Sequence, residues 1–499
     1  MNKLKNILWG LLLLTPVIML STGCKKFLDR KPLTATLDDL NQGGVEGQIY
    51  GLYGAIRNGD VAGQGFGGIP WLAVHGFRAD DSEKGSSPSD GADWGVIFDE
   101  FKYVKDHWSI NTYWDHHYVL ISQANTALQL ADSLKLTDQP SMVNIAEARF
   151  FRAFAYFDLV RTFGEVPKID FRVYKPADSK IPKSSVAEIY ALIDADLAFA
   201  EANLPTSWPA KFIGRLTNNA AKSLHAKTFL YRKNWGNALS LAQQVIDSKQ
   251  YSLTADYSKI FTDAGENNSE SIWEIQASLG ANGTDAYTSW YAIAQGVRGA
   301  GEWDLGWGWN APTQELVDAF DNADPRKAST ILYSGQPDGN GKVLPEFPTI
   351  PRKFWNRKVY PSAAMQTFTG NRQGGWINQR IIRYADVLLM AAEAANESGN
   401  GALAETLLEQ VRARARNGNA SILPKVTFAN QAQMRTAIQT ERRFELAMEG
   451  ERFFDLVRWG LAESVLGSYG YQTRNKYYPI PQPAIDFSGG ILKQNPDYP

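Results

Sequence analysis

Two stretches of the chain, NAAKSLHAKTFLYRKNWGNALSLAQQVI (219–246) and RYADVLLMAAEAANESGNGALAETLLEQV (383–411), carry the same pattern. Each holds two runs of apolar residues at three- and four-residue spacing with a short polar turn between them, the signature of an antiparallel helix pair. At an offset of 164 residues, Ala221 falls on Ala385, Leu224 on Leu388, Ala238 on Ala402 and Leu239 on Leu403. Small residues then stand where two helices cross.

A helix–turn–helix unit of about 34 residues with this pattern resembles a tetratricopeptide repeat. One such unit cannot bury its apolar face alone, so it must stack on others. Periodicity predicts further helices at 112–134, 145–164 and 184–203, with the two units themselves at 217–232, 236–248, 380–398 and 402–416, and a last helix at 431–449. In 145–164, Phe150, Phe154, Phe157 and Val160 run down one face, with Arg149, Arg152 and Arg161 elsewhere. The expected fold is mostly α, with a helical scaffold over 112–248 and 380–460. Residues 59–110 and 250–379 differ: they are rich in Gly, Pro, Asn, Asp and aromatics, and loops this long in a compact domain usually carry function. Within them SIWEIQ (271–276) reads as a short core strand.

The first residues form a targeting segment. Lys3 and Lys5 precede an apolar run from Ile7 to Leu20, and Leu20-Ser21-Thr22-Gly23-Cys24 closes it. The run is too short to span a bilayer, which needs about 20 apolar residues. Cys24 is the only cysteine, so no internal disulfide exists. Its position resembles a bacterial lipobox, with Ser21 where many carry an aliphatic residue. The reading is a signal peptide over 1–23 and acylation of Cys24, which tethers the protein to a membrane surface. A net charge of −2 without any basic block argues against nucleic acid as a partner.

Motifs for chemistry fail on context. GQGFGG (63–68) fits a dinucleotide fingerprint in letters, but no strand precedes it and no helix opens on it. His116 and His117 are adjacent and point about 100° apart on a helix, so they do not form an i, i+4 metal pair. No cofactor or metal is expected. ERRFELAMEGERFFDLVRWG (441–460) interleaves Glu441, Glu445, Glu449, Glu451 and Asp455 with Arg442, Arg443, Arg452 and Arg458, which reads as a structural ion-pair network.

EARFFRAFAYFDLVRTFGEVP (147–167), the 441–460 run and YYPIPQPAIDFSGGILKQNPDYP (477–499) resemble signature segments of the SusD/RagB family. CKKFLDRKP after the lipobox, FRADDSEKGSSPSD (77–90) and GWGWNAPTQELVDAFDNADPRKASTIL (306–332) do so too. The resemblance spans 24–499 as one domain. It implies four tetratricopeptide-like helix pairs beside a loop-rich ligand-binding half. It further implies a lipoprotein on the outer-membrane surface that binds glycan, acts as lid for a SusC-type TonB-dependent transporter, and catalyses nothing.

A glycan site needs flat rings under sugar C–H faces and planar polar groups for hydroxyls. Aromatics of the loop-rich half that no helical stripe claims are Trp71, Trp94, Trp290, Tyr291, Trp303, Trp307, Trp355 and Trp376, with Asp90, Asp93 and Asp304 as neighbouring acceptors. If GEWDLGWGWNAPT (301–313) is extended, Trp303, Leu305, Trp307 and Trp309 share one face. Thr313 then caps a helix against which Trp309 packs, and Trp303 is the better ligand contact. A glycoside hydrolase and a purely protein- or peptide-binding scaffold remain open as alternatives.

Overall fold

The computed structural model of the chain describes residues 43–57, 63, 65–279, 285–369 and 373–498. The leader and Cys24 lie outside the described residues. The chain divides after Gln48; residues 43–48 of the leading unit open the helix Gly44–Arg57.

Among the described residues from Ile49 onward, eight helices form the scaffold: α1 (Trp108–Ser133), α2 (Gln139–Phe163), α3 (Val186–Asn203), α4 (Asn218–Tyr231), α5 (Trp235–Asp247), α6 (Tyr384–Glu397), α7 (Gly401–Ala415) and α8 (Gln431–Glu445). All but α6, which follows directly on Arg383, start where a polar side chain takes up a free backbone N–H. Asp138, Thr217 and Asn430 accept from the third residue on, and Ser185 does so within a reciprocal box with Glu188. Such a cap contributes about 1 kcal/mol. The helices stack in chain order, and α5 packs directly on α6 although residues 248–383 intervene. The second repeat thus continues the stack begun by the first.

The caps correct the register of that repeat. Asn234 and Asn400 cap α5 and α7 in the same way, which sets the offset at 166 residues and not 164. Ala238 then matches Ala404 and Ala242 matches Leu408, all four buried, whereas Ala402 is exposed. The one-sided stripe expected for α2 is also corrected. Beside Phe150, Phe154 and Phe157, the residues Glu147, Arg152 and Asp158 are buried, because α2 is enclosed by neighbours on several sides. Its buried charges are matched: Arg152 donates to both oxygens of Asp196 at 2.7 Å, and Arg215 Nε to Glu147 at 3.0 Å.

The predicted core strand forms as β2 (Ser271–Ile275). Its partner is β6 (Gln379–Arg383), so the first residues of the expected 380–398 helix are strand and the helix begins at Tyr384. Trp273 on β2 is buried, edge-on to Phe150 and Phe154 at 5.0 and 4.9 Å. Further antiparallel pairs order the long loops, the longer ones being β1 (Ser82–Gly85) with β3 (Trp309–Pro312), and β4 (Ile331–Tyr333) with β5 (Phe354–Asn356).

The acidic and basic residues of 441–460 do form an ion-pair network, and it is buried. Glu445 faces Arg326 at 3.1 Å, Arg383 at 3.1 Å and Arg414 at 2.5 Å. Glu449 receives Arg383 at 2.8 Å and Lys358 at 2.7 Å, and Glu441 receives Arg326 and Arg412. Arg442 bridges Asp386 and Asp455. Burial by itself raises the Glu445 carboxyl, but Arg414, Arg383 and Arg326 outweigh it and hold it well below the usual range. The stabilisation this supplies is complete above about pH 4.3 and is lost as the pH falls through the lower folded value.

Glu445→Ala is expected to lower stability in urea denaturation by about 3–5 kcal/mol, because three arginines are left buried without their shared acid. The more exposed Arg435–Glu397 pair (2.6 Å) should contribute less than about 1 kcal/mol. Glu266 behaves in the opposite sense. Burial pushes it up to about 8 against the Asn378 N–H bond, so its contribution fades as pH rises from about 4.5 to 8. The stability gap between Glu266→Gln and wild type should therefore widen over that window in thermal melts; a constant gap contradicts the assignment.

Candidate functional site

The loop-rich half is fastened to the scaffold through Asp80 and Asp81. Arg452, which opens helix α9 (Arg452–Trp459), donates to both Asp80 oxygens at 2.8 Å, and Arg443 on α8 reaches Asp81 at 2.8 Å and Asp80 at 3.0 Å. Burial raises the Asp80 carboxyl, but Arg452 and Arg443 more than reverse this. The preceding Arg78 is fully buried, its guanidinium between the Phe453 and Tyr478 rings at 3.8 and 4.1 Å. The backbone carbonyls of Asp80 and Asp81 then receive the Thr313 hydroxyl at 2.6 Å and its N–H at 3.2 Å. Thr313 is the N-cap of the helix Gln314–Ala319, as its sequence position predicts. Two acids thus hold both strands of the β1–β3 ribbon at one end.

Beyond the ribbon the two strands approach closely. A Cβ on Gly85 would lie 2.3 Å from the Gly308 carbonyl, and both glycines have φ of +74°. Only glycine fits such a pair without strain. The buried Lys84 secures the loop that follows: its Nζ donates to the carbonyls of Gly85, Ser87 and Asp90 at 3.1, 3.1 and 2.7 Å. Arg298 closes the structure from the other side. It pairs with Asp90, donates to the Ser86 hydroxyl at 2.8 Å, and reaches the Trp307 carbonyl at 3.4 Å.

These contacts position the tryptophans. Trp309 is buried, as expected, but it packs on Phe77 and Trp94 at 6.4 and 5.0 Å. Trp94 is half-buried, resting on Trp309 and edge-on to Trp108 at 5.2 Å, with Asp93 exposed beside it. Trp307 is 39% exposed and is fixed by its own backbone, N–H to Ile293 carbonyl at 2.9 Å. The expected single face of Trp303, Trp307 and Trp309 does not form: Trp303 lies in the helical turn Gly301–Trp303, and positive φ at Gly308, between Trp307 and Trp309, breaks the strand alternation. Trp303 instead packs against a cluster of Val297, Leu305, Leu332, Leu344, Ile350 and Trp355. Trp307, not Trp303, is therefore the more open ring.

The remaining predicted residues separate by burial. Trp290 is half-buried at the start of the helix Trp290–Gln295, and Asp304 is exposed and accepts from Gln373 at 3.4 Å. Trp71 and Tyr291 are corrected to packing residues: each is 6% exposed, Trp71 stacking on His75 at 4.6 Å with Tyr291 edge-on. Trp355 and Trp376 are likewise buried. Sequence reasoning missed Lys84 and Arg298 as ties of these loops, and Asp90, expected as an acceptor beside Trp94, is instead paired with Arg298 and the Ser86 hydroxyl. Charged residues amid Gly and Ser were a weak signal, since their partners lie far away in sequence.

The SusD family model matches residues 269–498, and a second one, described as starch-binding associating with outer membrane, matches 75–230. SusD-like protein P2 of Formosa agariphila is 30% identical over 455 residues, covering 86% of this chain and 87% of that protein. The starch-binding protein SusD of Bacteroides thetaiotaomicron is 25% identical over 441 residues, covering 74% and 71%. Among solved structures, a laminarin-binding SusD-like protein superposes with a TM-score of 0.75 at 28% identity, over 91% of this chain and 99% of that one. With its helical stack, its buried signature segments and these relatives, the chain belongs to the SusD/RagB family.

Proposed function

We propose that this protein captures oligosaccharide on the cell surface through a shallow aromatic platform centred on Trp94 and Trp307. The observation that carries the reading is that both rings stand on loops tied together by Arg298 and Asp90, and that the packed cluster beneath them leaves each ring partly open. Rigid rings suit sugar C–H faces, since no loop has to be ordered on binding. Trp303 and Trp290, half-buried, supply edge contacts, and the exposed Asp93 and Asp304 accept sugar hydroxyls. The starch and laminarin named for the relatives support a glucan as the ligand class.

In this reading the chain is a binding subunit and not a hydrolase. The acids of the 441–460 run are committed to arginines and lysines, and what remains at the platform is suited to holding hydroxyls. Acylated Cys24 anchors the protein to the outer membrane, and the chain serves as lid for a SusC-type TonB-dependent transporter, as family membership implies.

Calorimetry against laminari- and malto-oligosaccharides tests the platform. Trp94→Ala and Trp307→Ala should each weaken binding about threefold to tenfold, the loss expected for one stacked ring. If neither change weakens binding to a glycan that the wild type retains, the platform is elsewhere. Cys24→Ala should move the protein from the membrane fraction to the soluble one; continued partition into detergent contradicts the anchor.

A further inference from the structure

A second feature lies on the helical scaffold, where α1, α2 and α3 enclose a cleft of about 570 Å³. Its wall is aliphatic and aromatic, formed by Leu128, Met142, Ile145 and Phe199, all partly exposed. Arg149 also lines it, and its charge is poorly matched. Among the described residues Arg149 makes no hydrogen bond, and its Nε is buried without a partner. The nearest acid, Asp196, is 3.9 Å away and already receives two 2.7 Å bonds from Arg152.

The other charges of the cleft are accounted for. Asp132 pairs with Lys135 at 3.0 Å and Asp170 faces Lys168 at 3.7 Å. Arg152 is held by Asp196 and Asn125, while Arg172 donates to the neutral Gln129 at 3.2 Å and covers the Tyr174 ring. Two guanidinium groups of the cleft, Arg149 and Arg172, thus lack a close carboxylate, and Arg149 is the one beside the apolar wall. An unmatched cation at such a site is costly unless an anion completes it. Burial lowers the Arg149 pKa more than Asp196 raises it, in keeping with that deficit.

We propose that this cleft binds an acidic peptide segment of a protein partner, with a Glu or Asp carboxylate on Arg149 and a neighbouring apolar side chain against Leu128, Met142 and Ile145. An acidic sugar fits less well. The Arg149 guanidinium covers the Phe199 ring at 4.2 Å, leaving Phe171 as the open ring of the cleft, and the surface beside Arg149 is the aliphatic wall of Leu128, Met142 and Ile145.

The test is fluorescence polarisation with a labelled Gly-Leu-Glu-Leu-Gly peptide, beside the same peptide carrying Gln for Glu and a glucuronate trisaccharide as competitor. Binding of the Glu peptide should be about tenfold tighter than that of the Gln peptide, and Arg149→Ala should remove that preference. Arg149→Lys should restore part of it. Because Arg149 makes no hydrogen bond and only a long 3.9 Å contact to Asp196 beside its stacking on Phe199, Arg149→Ala should shift the melting temperature little and leave oligosaccharide binding intact. Equal binding of the two peptides, no peptide binding up to millimolar concentration, an unchanged preference in Arg149→Ala, or efficient displacement by the trisaccharide would each overturn the proposal.

Discussion

Buried pairing between arginines and carboxylates holds this molecule together. Glu445 receives Arg326 from the loop-rich half, Arg383 from the end of β6 and Arg414 from α7. Helix, strand and inserted loop therefore meet at one carboxylate. Bringing such charges out of water costs several kcal/mol each, and the arrangement is tolerable only because nearly every donor finds an acceptor. The benefit is specificity: a carboxylate that must meet three guanidinium groups permits one arrangement of the elements bearing them, whereas apolar contacts alone are more forgiving.

The same logic reaches the platform. Arg443 and Arg452 extend the network to Asp80 and Asp81, whose carbonyls hold Thr313, and the β1–β3 ribbon follows from that point. Trp94 stands on the Trp309 ring of that ribbon, and Trp307 precedes it by two residues. Ligand-facing rings are thus carried on loops, but on loops whose roots are fixed by the scaffold.

Much of the scaffold was legible in sequence because helical periodicity is a local signal. The eight helices fall close to their expected bounds, Thr313 caps its helix, and Trp273 lies in a core strand. Where the reading missed, a long-range contact decided. Residues 380–383 fit a helical pattern but pair with β2, and the repeat register was set by Asn234 and Asn400 rather than by matching alanines. The tryptophans were least legible. Whether a ring is covered depends on partners hundreds of residues away, and the relative faces of Trp307 and Trp309 were decided by positive φ at Gly308. Asp80 and Asp81 of FRADDSEKGSSPSD carried no visible sign that their partners were Arg443 and Arg452.

The central claim is that the Asp80–Arg452 pair, and through it the scaffold network, sets the platform. A double-mutant cycle with Asp80→Asn, Arg452→Gln and the combined variant, measured by urea denaturation, tests it most directly. The account predicts a coupling of about 1.5–3 kcal/mol, as for a two-bond charged contact that is mostly buried. A coupling below about 0.5 kcal/mol, with effects that simply add, would contradict it.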